Sequence, residues 1–401
     1  MARRILLADA DAFYVSVARL VDPEGAGRAK LLIVGGPAKS RGVVTSASYE
    51  ARAFGVHSAM PMARAARLCP KAMIVPVPWQ ACAEKSRQIR EVLERWAPVV
   101  EQASSDEFYL DMSGTERLYK DEPLEETARR LRENVLAATQ LSVSVGGGTS
   151  KLVAKLAAGV AKPAGVHVVA AGGEGEFLRR FRLADIPFVG QRFAERLKRW
   201  NLVSVDDALQ AGPERLREWL GEREGLWLWE RARGVDGSPV ETGGDAKSIS
   251  RDETFAEDVD DDAALKAELI RLMDHAASEL REDGLLARTI TVRLRDFDFV
   301  DRQASRTVEV PVSSDRAMLR VARELLARLR AARRVPARLL GVAVSSLGHE
   351  EGPAQLSLLE SGAPSVESEK DRQVARVVDR LREKLGEEAI ALGRKPTHRR
   401  R

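Results

Sequence analysis

Residues 4–11 read Arg4-Ile-Leu-Leu-Ala-Asp9-Ala-Asp11, an apolar run that ends in two carboxylates. A second acidic stretch, Ser104-Ser-Asp106-Glu107, lies between two further apolar runs. Short apolar runs bounded by turn residues are typical of strands. If these strands are neighbours in one sheet, the sequence predicts that Asp9, Asp106 and Glu107 converge at one sheet edge.

Converging carboxylates suit hard divalent cations. Mg²⁺ prefers oxygen ligands and is commonly held by a few carboxylates together with substrate phosphates. Two such ions, about 4 Å apart, can activate an attacking hydroxyl and stabilise a leaving pyrophosphate. Acidic pairs are also common in ordinary turns, and on the pair alone that structural explanation is preferred.

The bulk composition excludes several classes of protein. A chain of 401 residues is too long for one ordinary hydrophobic core, so several domains are expected. Hydrophobic residues make up 44% and charged residues 31%, which is typical of globular proteins. No apolar run approaches the ~18 residues of a membrane span, and the first is too short for a signal peptide. Cys69 and Cys82 form no CxxC motif, so a reducing, cytoplasmic location is expected.

Secondary-structure patterns divide the chain into regions. Strands and helices are mixed, without strict βαβ alternation, up to about residue 166, and residues 178–235 have an all-helical pattern. Glycines at 237, 243 and 244 mark a linker. Residues 248–347 follow a βαββαβ order, and a charged helix is predicted from Glu369 to Leu385. The predicted fold class is α+β with several domains.

Five motifs resemble those of Y-family DNA polymerases of the DinB type, in the order and spacing of that family. They are Asp9-Ala-Asp-Ala-Phe13-Tyr14, Tyr49-Glu-Ala-Arg52-Ala-Phe-Gly55, Ser104-Ser-Asp-Glu-Phe-Tyr-Leu-Asp111, Lys151-Leu-Val-Ala-Lys155 and Ala161-Lys162-Pro163-Ala-Gly165. The resemblance implies a right-hand polymerase. Its parts would be a palm at 1–10 and 77–166, fingers at 11–76, a helical thumb at 167–240, a little finger at 245–347 and a flexible tail at 348–401.

The resemblance also implies roles for individual residues. Asp9, Asp106 and Glu107 would be catalytic and, with the Ala10 carbonyl, would hold two Mg²⁺ ions. The residues implied to bind the incoming dNTP are Phe13, Tyr14, Ser46, Tyr49, Arg52 and Lys162. Tyr14 occupies the steric-gate position, where a ring leaves no room for a 2′-hydroxyl. Asp11 belongs to the first motif, but a structural role is expected for it rather than metal ligation.

Two segments are candidates for contact with primer–template DNA. Ile186-Pro-Phe188-Val-Gly190 resembles a helix-hairpin-helix turn, with Phe188 in place of a usual glycine. A phosphate contact at Gly190 and a plain interhelical turn are equally favoured there. The predicted strands of 248–347 carry arginines at mostly even intervals, which puts several side chains on one sheet face, suited to phosphate contacts. They are Arg288, Arg293, Arg295, Arg302 and Arg306.

A short peptide beyond the last predicted domain suggests a protein partner. Gln355-Leu-Ser-Leu-Leu359 resembles the pentapeptide by which bacterial polymerases bind the sliding clamp, their β subunit. Glutamine and leucine side chains in an extended segment can fill one apolar pocket. The implied contact residues are Gln355, Leu356, Leu358 and Leu359.

The implied function is template-dependent translesion DNA synthesis of low fidelity, in which dNMPs are added to a primer 3′-OH and pyrophosphate is released. One alternative is a catalytically inactive, polymerase-like scaffold for DNA and the clamp, which should lack one of the three carboxylates. Another is a nucleotide cyclase, since cyclases use a similar palm, but the predicted thumb, little finger and clamp peptide argue against it. The resemblance further implies a monomer without membrane contact, located at the bacterial nucleoid.

Overall fold

The computed structural model describes residues 3–244, 246–349, 366–386 and 389–390. The chain divides into two compact units, Met1–Gly244 and Asp245–Arg401. Both units combine helices with sheets, which confirms the predicted α+β multidomain class. Among the helices of these residues, none has both the length and the apolar character that crossing a membrane requires.

The first unit contains eight strands and ten α-helices within its described residues. The strands are β1 (Ile5–Ala10), β2 (Leu32–Gly35), β3 (Val44–Ala47), β4 (Met73–Val75), β5 (Val99–Gln102), β6 (Glu107–Asp111), β7 (Val143–Gly148) and β8 (Val166–Val168). The helices are α1 (Phe13–Val21), α2 (Tyr49–Arg52), α3 (Met62–Leu68), α4 (Trp79–Leu93), α5 (Leu124–Thr139), α6 (Lys151–Ala161), α7 (Glu174–Leu178), α8 (Gln191–Lys198), α9 (Val205–Leu220) and α10 (Glu222–Ala232).

The main sheet has the strand order β5-β6-β1-β7-β8, so β1 lies at its centre. β1 is antiparallel to both neighbours, while β8 runs parallel to β7. Every residue of β1 is buried, because one sheet face packs against α1, α4 and α5 and the other against α6. A central strand covered on both faces needs a nearly continuous apolar run. The run from Ile5 to Ala8 meets that need, and the polar residues begin at Asp9, near the carboxyl end of the strand.

Helix α6 crosses β7 at very close range. Gly146 faces this helix, and a Cβ atom built there would lie 2.0 Å from the Ala158 amide nitrogen and 2.1 Å from the Ala154 carbonyl oxygen. Only glycine permits that approach, because protein interiors have no spare volume for another carbon atom. The contact fixes the height of α6, and of the lysines it carries, above the sheet.

Gly146→Ala is therefore expected to destabilise the protein by about 1–3 kcal/mol, because α6 must move away from β7. Urea unfolding would measure the loss. Gly159→Ala is the matched control, since Gly159 lies in α6 itself and a Cβ atom there meets nothing within 4 Å. That control should stabilise the helix by about 0.5–1 kcal/mol. Equal effects of the two substitutions would contradict the close packing.

A small second sheet follows β1 and α1 in the chain. Its order is β3-β2-β4, with β2 antiparallel to β3 and parallel to β4. Its own apolar core involves α2 and α3.

After β8, helices α7 to α10 surround a further core, and α9 bends at Gly212, which has a φ of 79° and precedes Pro213. The finer division of this unit into palm, fingers and thumb stays a prediction.

The second unit contains the βαββαβ order that the sequence predicts. Its elements are β9 (Ser248–Val259), α11 (Asp262–Glu282), β10 (Leu285–Asp296), β11 (Asp301–Val312), α12 (Asp315–Ala332), β12 (Ala337–His349) and a final helix α13 (Glu369–Leu385). The antiparallel sheet has the order β11-β10-β12-β9. Helices α11 and α12 cover one face of this sheet through a single large core.

Helix α13 packs onto the helical side of the second unit through ion pairs. Arg281 on α11 donates to both carboxylate oxygens of Asp379, at 2.6 and 2.7 Å. Arg382 on α13 donates in the same two-pronged way to Asp274, at 3.0 and 2.7 Å. Such bidentate pairs fix orientation as well as distance, so they hold α13 in one register on α11.

Candidate active site

Two of the predicted carboxylates lie side by side at one end of the main sheet. Asp9 on β1 is the cross-strand partner of Glu107 on β6, and side chains of directly opposed residues share a sheet face. The Ala10 amide donates to the Asp106 carbonyl at 2.9 Å, which brings the acidic turn against the end of β1. The structure thus brings together the backbones of Asp9, Ala10, Asp106 and Glu107, as the sequence predicts.

Two lysines from the α6 region lie over this acidic pair. The Lys162 ammonium is 2.5 Å from Asp9 Oδ1, and Lys155 pairs with Glu107 and lies 3.6 Å from Asp9 Oδ2. Asp9 is only 5% exposed. Burial raises the pKa of its carboxyl above the ordinary value, and the two lysines act in the opposite direction. The buried negative charge at this site therefore requires cations beside it.

The side chain of Asp106 does not join the other two carboxylates. Its Oδ1 accepts a hydrogen bond from Ser104 Oγ at 2.7 Å, within its own turn. In the part of the chain that the structure describes, no three acidic, histidine or cysteine side chains are grouped closely enough to hold a metal ion as they stand. The predicted convergence is thus met by the backbone but not by the Asp106 side chain, because the serine of the turn offers it a local donor.

The donor chemistry of this site nevertheless fits a hard divalent cation. Asp9 and Glu107 present carboxylate oxygens on one face, and Asp106 adds a third if its side chain turns away from Ser104. Oxygen-only ligand sets of this kind are typical of Mg²⁺. Lys155 was not among the predicted site residues, although its spacing of four from Lys151 places it on the same helix face, one turn further along.

Asp11 lies in a different environment from Asp9. Its carboxylate accepts hydrogen bonds from the Tyr49 hydroxyl at 3.3 Å, the Ser142 hydroxyl at 2.8 Å, the Ser144 hydroxyl at 2.7 Å and the Ala164 amide at 3.0 Å. Ser144 on β7 and Ser142 just before it were not predicted as site residues. The expected structural role of Asp11 is consistent with these contacts.

The predicted nucleotide-binding residues Ser46, Tyr49 and Arg52 lie in the small sheet or in the helix after it, and the Tyr49 hydroxyl contacts Asp11. Tyr49 is on α2, and the Arg52 guanidinium lies 4.9 Å from the centre of its ring while donating to the Ala47 carbonyl. Ser46 is buried on β3. Partial burial of the hydroxyl and the neighbouring Asp11 raise the pKa of Tyr49 to about 12. The Tyr49 hydroxyl therefore keeps its proton at neutral pH and acts as a donor.

Phe13 and Tyr14 are the first two residues of α1, which begins directly after Asp11 and Ala12. The Tyr14 ring packs edge-on against Phe13 at 5.2 Å and against Trp79 at 6.1 Å between ring centres. Trp79, which is 67% exposed, was not predicted as part of the site. No side chain caps the start of α1, and the first amides of a helix have no acceptor within it. These amides are available to an anion.

Comparison with known proteins identifies the family. Residues 8–159 match the profile of the impB/mucB/samB family, and residues 246–358 match that of the C-terminal domain of the same family. The DNA polymerase IV of Dehalococcoides mccartyi strain CBDB1 is 32% identical over 392 residues, which are 98% of this chain and 97% of that protein. The DNA polymerase IV of Staphylococcus aureus strain JH9 is 35% identical over 345 residues, 86% of this chain and 95% of that protein. The chain belongs to the DinB-type Y-family DNA polymerases.

Solved structures agree with this assignment. A Y-family polymerase chimera of Dbh and Dpo4 superposes with a TM-score of 0.77 at 25% identity, covering 86% of this chain and 99% of the chimera. An insertion ternary complex of the Dbh polymerase superposes with a TM-score of 0.60 at 26% identity, covering 85% of this chain and 98% of that one. The protein is accordingly a DNA-directed DNA polymerase, and catalysis in its family depends on divalent metal ions.

The arginines of the polymerase's second unit divide between the two faces of its sheet. Arg293 and Arg295 alternate with buried core residues of β10 and face away from the helices, where both donate to Asp301. Arg302 is opposite Leu294 and faces the helices, where it donates to the fully buried Asp296.

The remaining two arginines, Arg288 and Arg306, do not line up with Arg293 and Arg295 on the sheet face away from the helices. Arg306 is opposite the core residue Ile290 and pairs with Glu324 on α12 at 2.8 Å. Arg288 lies where the register of β10 shifts, and it donates to the Val308 and Glu309 carbonyls. The even spacing in sequence therefore does not yield one row of five, because a bulge and the hairpin change the alternation. Contact of these arginines with DNA stays a prediction.

The hairpin between the short 3-10 helix at Leu183–Asp185 and α8 has an unusual tip. Phe188 is 90% exposed and has a positive φ of 70°, a conformation that favours glycine. Gly190 precedes α8, and no side chain caps that helix. A phosphate contact at Gly190 remains a prediction. The predicted clamp residues Gln355, Leu356, Leu358 and Leu359 lie outside the described residues.

Proposed function

We propose that this polymerase performs translesion synthesis of low fidelity, using two Mg²⁺ ions held by Asp9, Asp106, Glu107 and the Ala10 carbonyl. The observation that carries the proposal is the pairing of Asp9 with Glu107 across β1 and β6, under two lysines and beside the Asp106 turn. An acidic pair that combines the buried Asp9 with the half-buried Glu107, and that already has lysines beside it, is suited to metal ions. Bound Mg²⁺ would lower the pKa of the primer 3′-OH and neutralise charge on the departing pyrophosphate.

The residues around the carboxylates would bind and orient the incoming dNTP. Tyr49 and Arg52 on α2 and Lys162 after α6 would hold the triphosphate, with Arg52 and Lys162 as the cationic donors and Ser46 and the Phe13 and Tyr14 amides as further donors. Charge-assisted contacts of this kind hold the α-phosphate in line with the attacking oxygen. Lys162, now paired with Asp9, would exchange that carboxylate for a phosphate when the metal ion takes its place.

Other residues of the polymerase would contact the sugar of the nucleotide and the phosphates of the DNA. We propose that the Tyr14 ring fills the space of a 2′-hydroxyl and so selects deoxynucleotides.

Arg293 and Arg295, on the open sheet face of the second unit, would contact DNA phosphates without reading sequence. Their present partner Asp301 is exposed, and exposed ion pairs contribute little, so exchanging Asp301 for a phosphate costs little. The proposal includes Arg288, Arg302, Arg306 and Gly190 as further DNA contacts on the sequence resemblance alone.

Primer extension tests the proposed function. The purified protein would receive a primed template, dNTPs and Mg²⁺, with and without a damaged template base. We expect extension past the lesion, frequent mispairing on undamaged template and no extension without a divalent ion. Accurate synthesis that stops at every lesion would contradict the translesion proposal. Tight primer–template binding without any extension would favour the inactive scaffold, although Asp9, Asp106 and Glu107 are all present.

We further propose that the polymerase binds the sliding clamp through residues 355–359 and otherwise acts as a monomer at the bacterial nucleoid. The support for the clamp contact is the sequence pattern of the peptide. Replacing Leu358 and Leu359 by Ala is expected to weaken clamp binding by about 10- to 100-fold, since apolar anchors dominate such peptide contacts. Surface plasmon resonance on immobilised clamp would measure the change, with Leu385→Ala on the exposed side of α13 as control. An unchanged affinity would refute the peptide assignment.

A further inference from the structure

The Asp11 carboxylate accepts a hydrogen bond at each of the positions where an ionised carboxylate can accept one. A carboxylate has about four lone-pair sites. Oδ1 accepts from the hydroxyls of Tyr49 and Ser144, and Oδ2 accepts from the Ser142 hydroxyl and the Ala164 amide. No site is left for a metal ion without breaking one of these bonds. This distinguishes Asp11 from Asp9, whose oxygens face the two lysines.

The position of Asp11 is fixed by the main sheet. The residue is 6% exposed, and its amide donates to the Ser142 carbonyl at 2.9 Å. Ser144 is in β7 opposite Asp9, and Ser142 directly precedes that strand, so two of the four donors are tied to the main sheet. The other two donors come from elsewhere in the chain. Asp11 thus attaches two separate segments of the chain to the main sheet.

The two attached segments carry the proposed triphosphate ligands. Tyr49 is the first residue of α2, next to the small sheet. Ala164 follows Lys162 by two residues, so the hydrogen bond from its amide holds the short loop from which the Lys162 side chain extends. The single proton of the Tyr49 hydroxyl is used on Asp11, so Tyr49 anchors α2, which also carries Arg52. One carboxylate therefore sets the separation of the helix that carries Arg52 and the loop that carries Lys162.

We propose that Asp11 is a positioning residue that determines the affinity for the incoming nucleotide by holding Tyr49 and the Lys162 loop in place, and that it does not ligate metal. The inference rests on the proposed roles of Tyr49 and Lys162. Preorganised donors lose no ordering entropy when the triphosphate arrives. Without the carboxylate, the nucleotide must order both segments itself, so its binding weakens while the chemical step of the bound complex is preserved.

The two substitutions Asp11→Asn and Asp11→Ala separate positioning from metal ligation. The amide oxygen of Asn can accept from the Ala164 amide and Ser142, and its amino group can donate to the Tyr49 and Ser144 hydroxyls, which accept after rotating. Asp11→Asn should therefore raise the dissociation constant for dNTP by less than about threefold, and Asp11→Ala by about 10- to 100-fold, with kcat nearly unchanged. For a metal ligand, both substitutions would lower kcat as strongly as Asp9→Asn does.

The experiment measures dNTP binding to the polymerase on a dideoxy-terminated primer–template, together with single-turnover kinetics and Tb³⁺ luminescence as a direct measure of metal binding. Asp11→Ala should leave Tb³⁺ affinity unchanged, whereas Asp9→Asn should reduce it. Tyr49→Phe should raise the dNTP dissociation constant and add less in the Asp11→Ala background than alone. A loss of Tb³⁺ binding on Asp11→Asn, or full additivity with Tyr49→Phe, would overturn the proposal.

Two further results keep the test decisive. If Asp11→Ala does not fold, two results still distinguish positioning from metal ligation. One is the comparison of Asp11→Asn with Asp9→Asn, and the other is the effect of Tyr49→Phe at an exposed residue. If Tyr49→Ala and Lys162→Ala leave dNTP binding unchanged, the proposed triphosphate contacts are wrong and the Asp11 inference is lost with them. If those two weaken dNTP binding but Asp11→Ala does not, only the Asp11 inference fails.

Discussion

Asp106→Ala is expected to lower the rate of nucleotide addition by about a thousandfold or more while primer–template affinity changes by less than about twofold. A carboxylate that faces a metal ion contributes several kcal/mol to stabilising developing charge, and about 4 kcal/mol corresponds to a thousandfold in rate. DNA binding is spared because the proposed phosphate contacts lie elsewhere in the chain. Single-turnover primer extension measures the rate, and fluorescence anisotropy of a labelled primer–template measures binding.

The matched control for Asp106 is its hydrogen-bonding partner in the turn. Ser104→Ala removes the 2.7 Å hydrogen bond to the Asp106 carboxylate but leaves the carboxylate itself. If Asp106 leaves Ser104 to reach the metal ions, this control should lower the rate by less than about threefold. Activity that survives Asp106→Ala would overturn the metal assignment. Equal losses in both variants would instead give the turn conformation the main role.

The elements predicted from sequence share a strong local signal. The strand Ile5–Ala10 begins with a continuous apolar run from Ile5 to Ala8 that ends at the Asp9 carboxylate, and α13 has both a serine cap at Ser368 and a regular pattern up to Leu385. Helices α1 and α3 have no such signal. Each follows a residue without a capping side chain, Ala12 and Pro61 respectively. Nothing in the local sequence marks where these two helices begin.

The candidate site was predictable only as a set of residue types. The motifs indicate which carboxylates and cations belong together, but the pairing of Lys155 with Glu107 joins residues 48 positions apart. The hydroxyl donors of Asp11 at Ser142 and Ser144 are 131 and 133 positions away. Such contacts depend on strand order and register, which one sequence does not reveal. For the same reason, counting alternate residues does not show that Arg302 faces the helices.

Tyr14→Ala is expected to reduce the preference for deoxynucleotides over ribonucleotides by about 10- to 100-fold. A 2′-hydroxyl forced against a packed ring costs about 1–3 kcal/mol, and each 1.36 kcal/mol is a factor of ten in rate. The ring cannot easily turn aside, because Phe13 and Trp79 contact it from two directions. The measurement is the ratio of kcat/KM for dATP to that for ATP opposite a template thymine.

Tyr14→Phe is the control that isolates the ring from its hydroxyl. It keeps the volume and the edge-on contacts with Phe13 and Trp79, so sugar selection should stay within about threefold of the original value. A loss of selection in Tyr14→Phe would mean that a hydrogen bond from the hydroxyl, rather than the bulk of the ring, excludes ribonucleotides. If Tyr14→Ala keeps the original ratio as well, another group must occupy the space beside the sugar. The exposed Trp79 is then the aromatic candidate, because its ring already contacts that of Tyr14, whereas Phe13 is buried in the core.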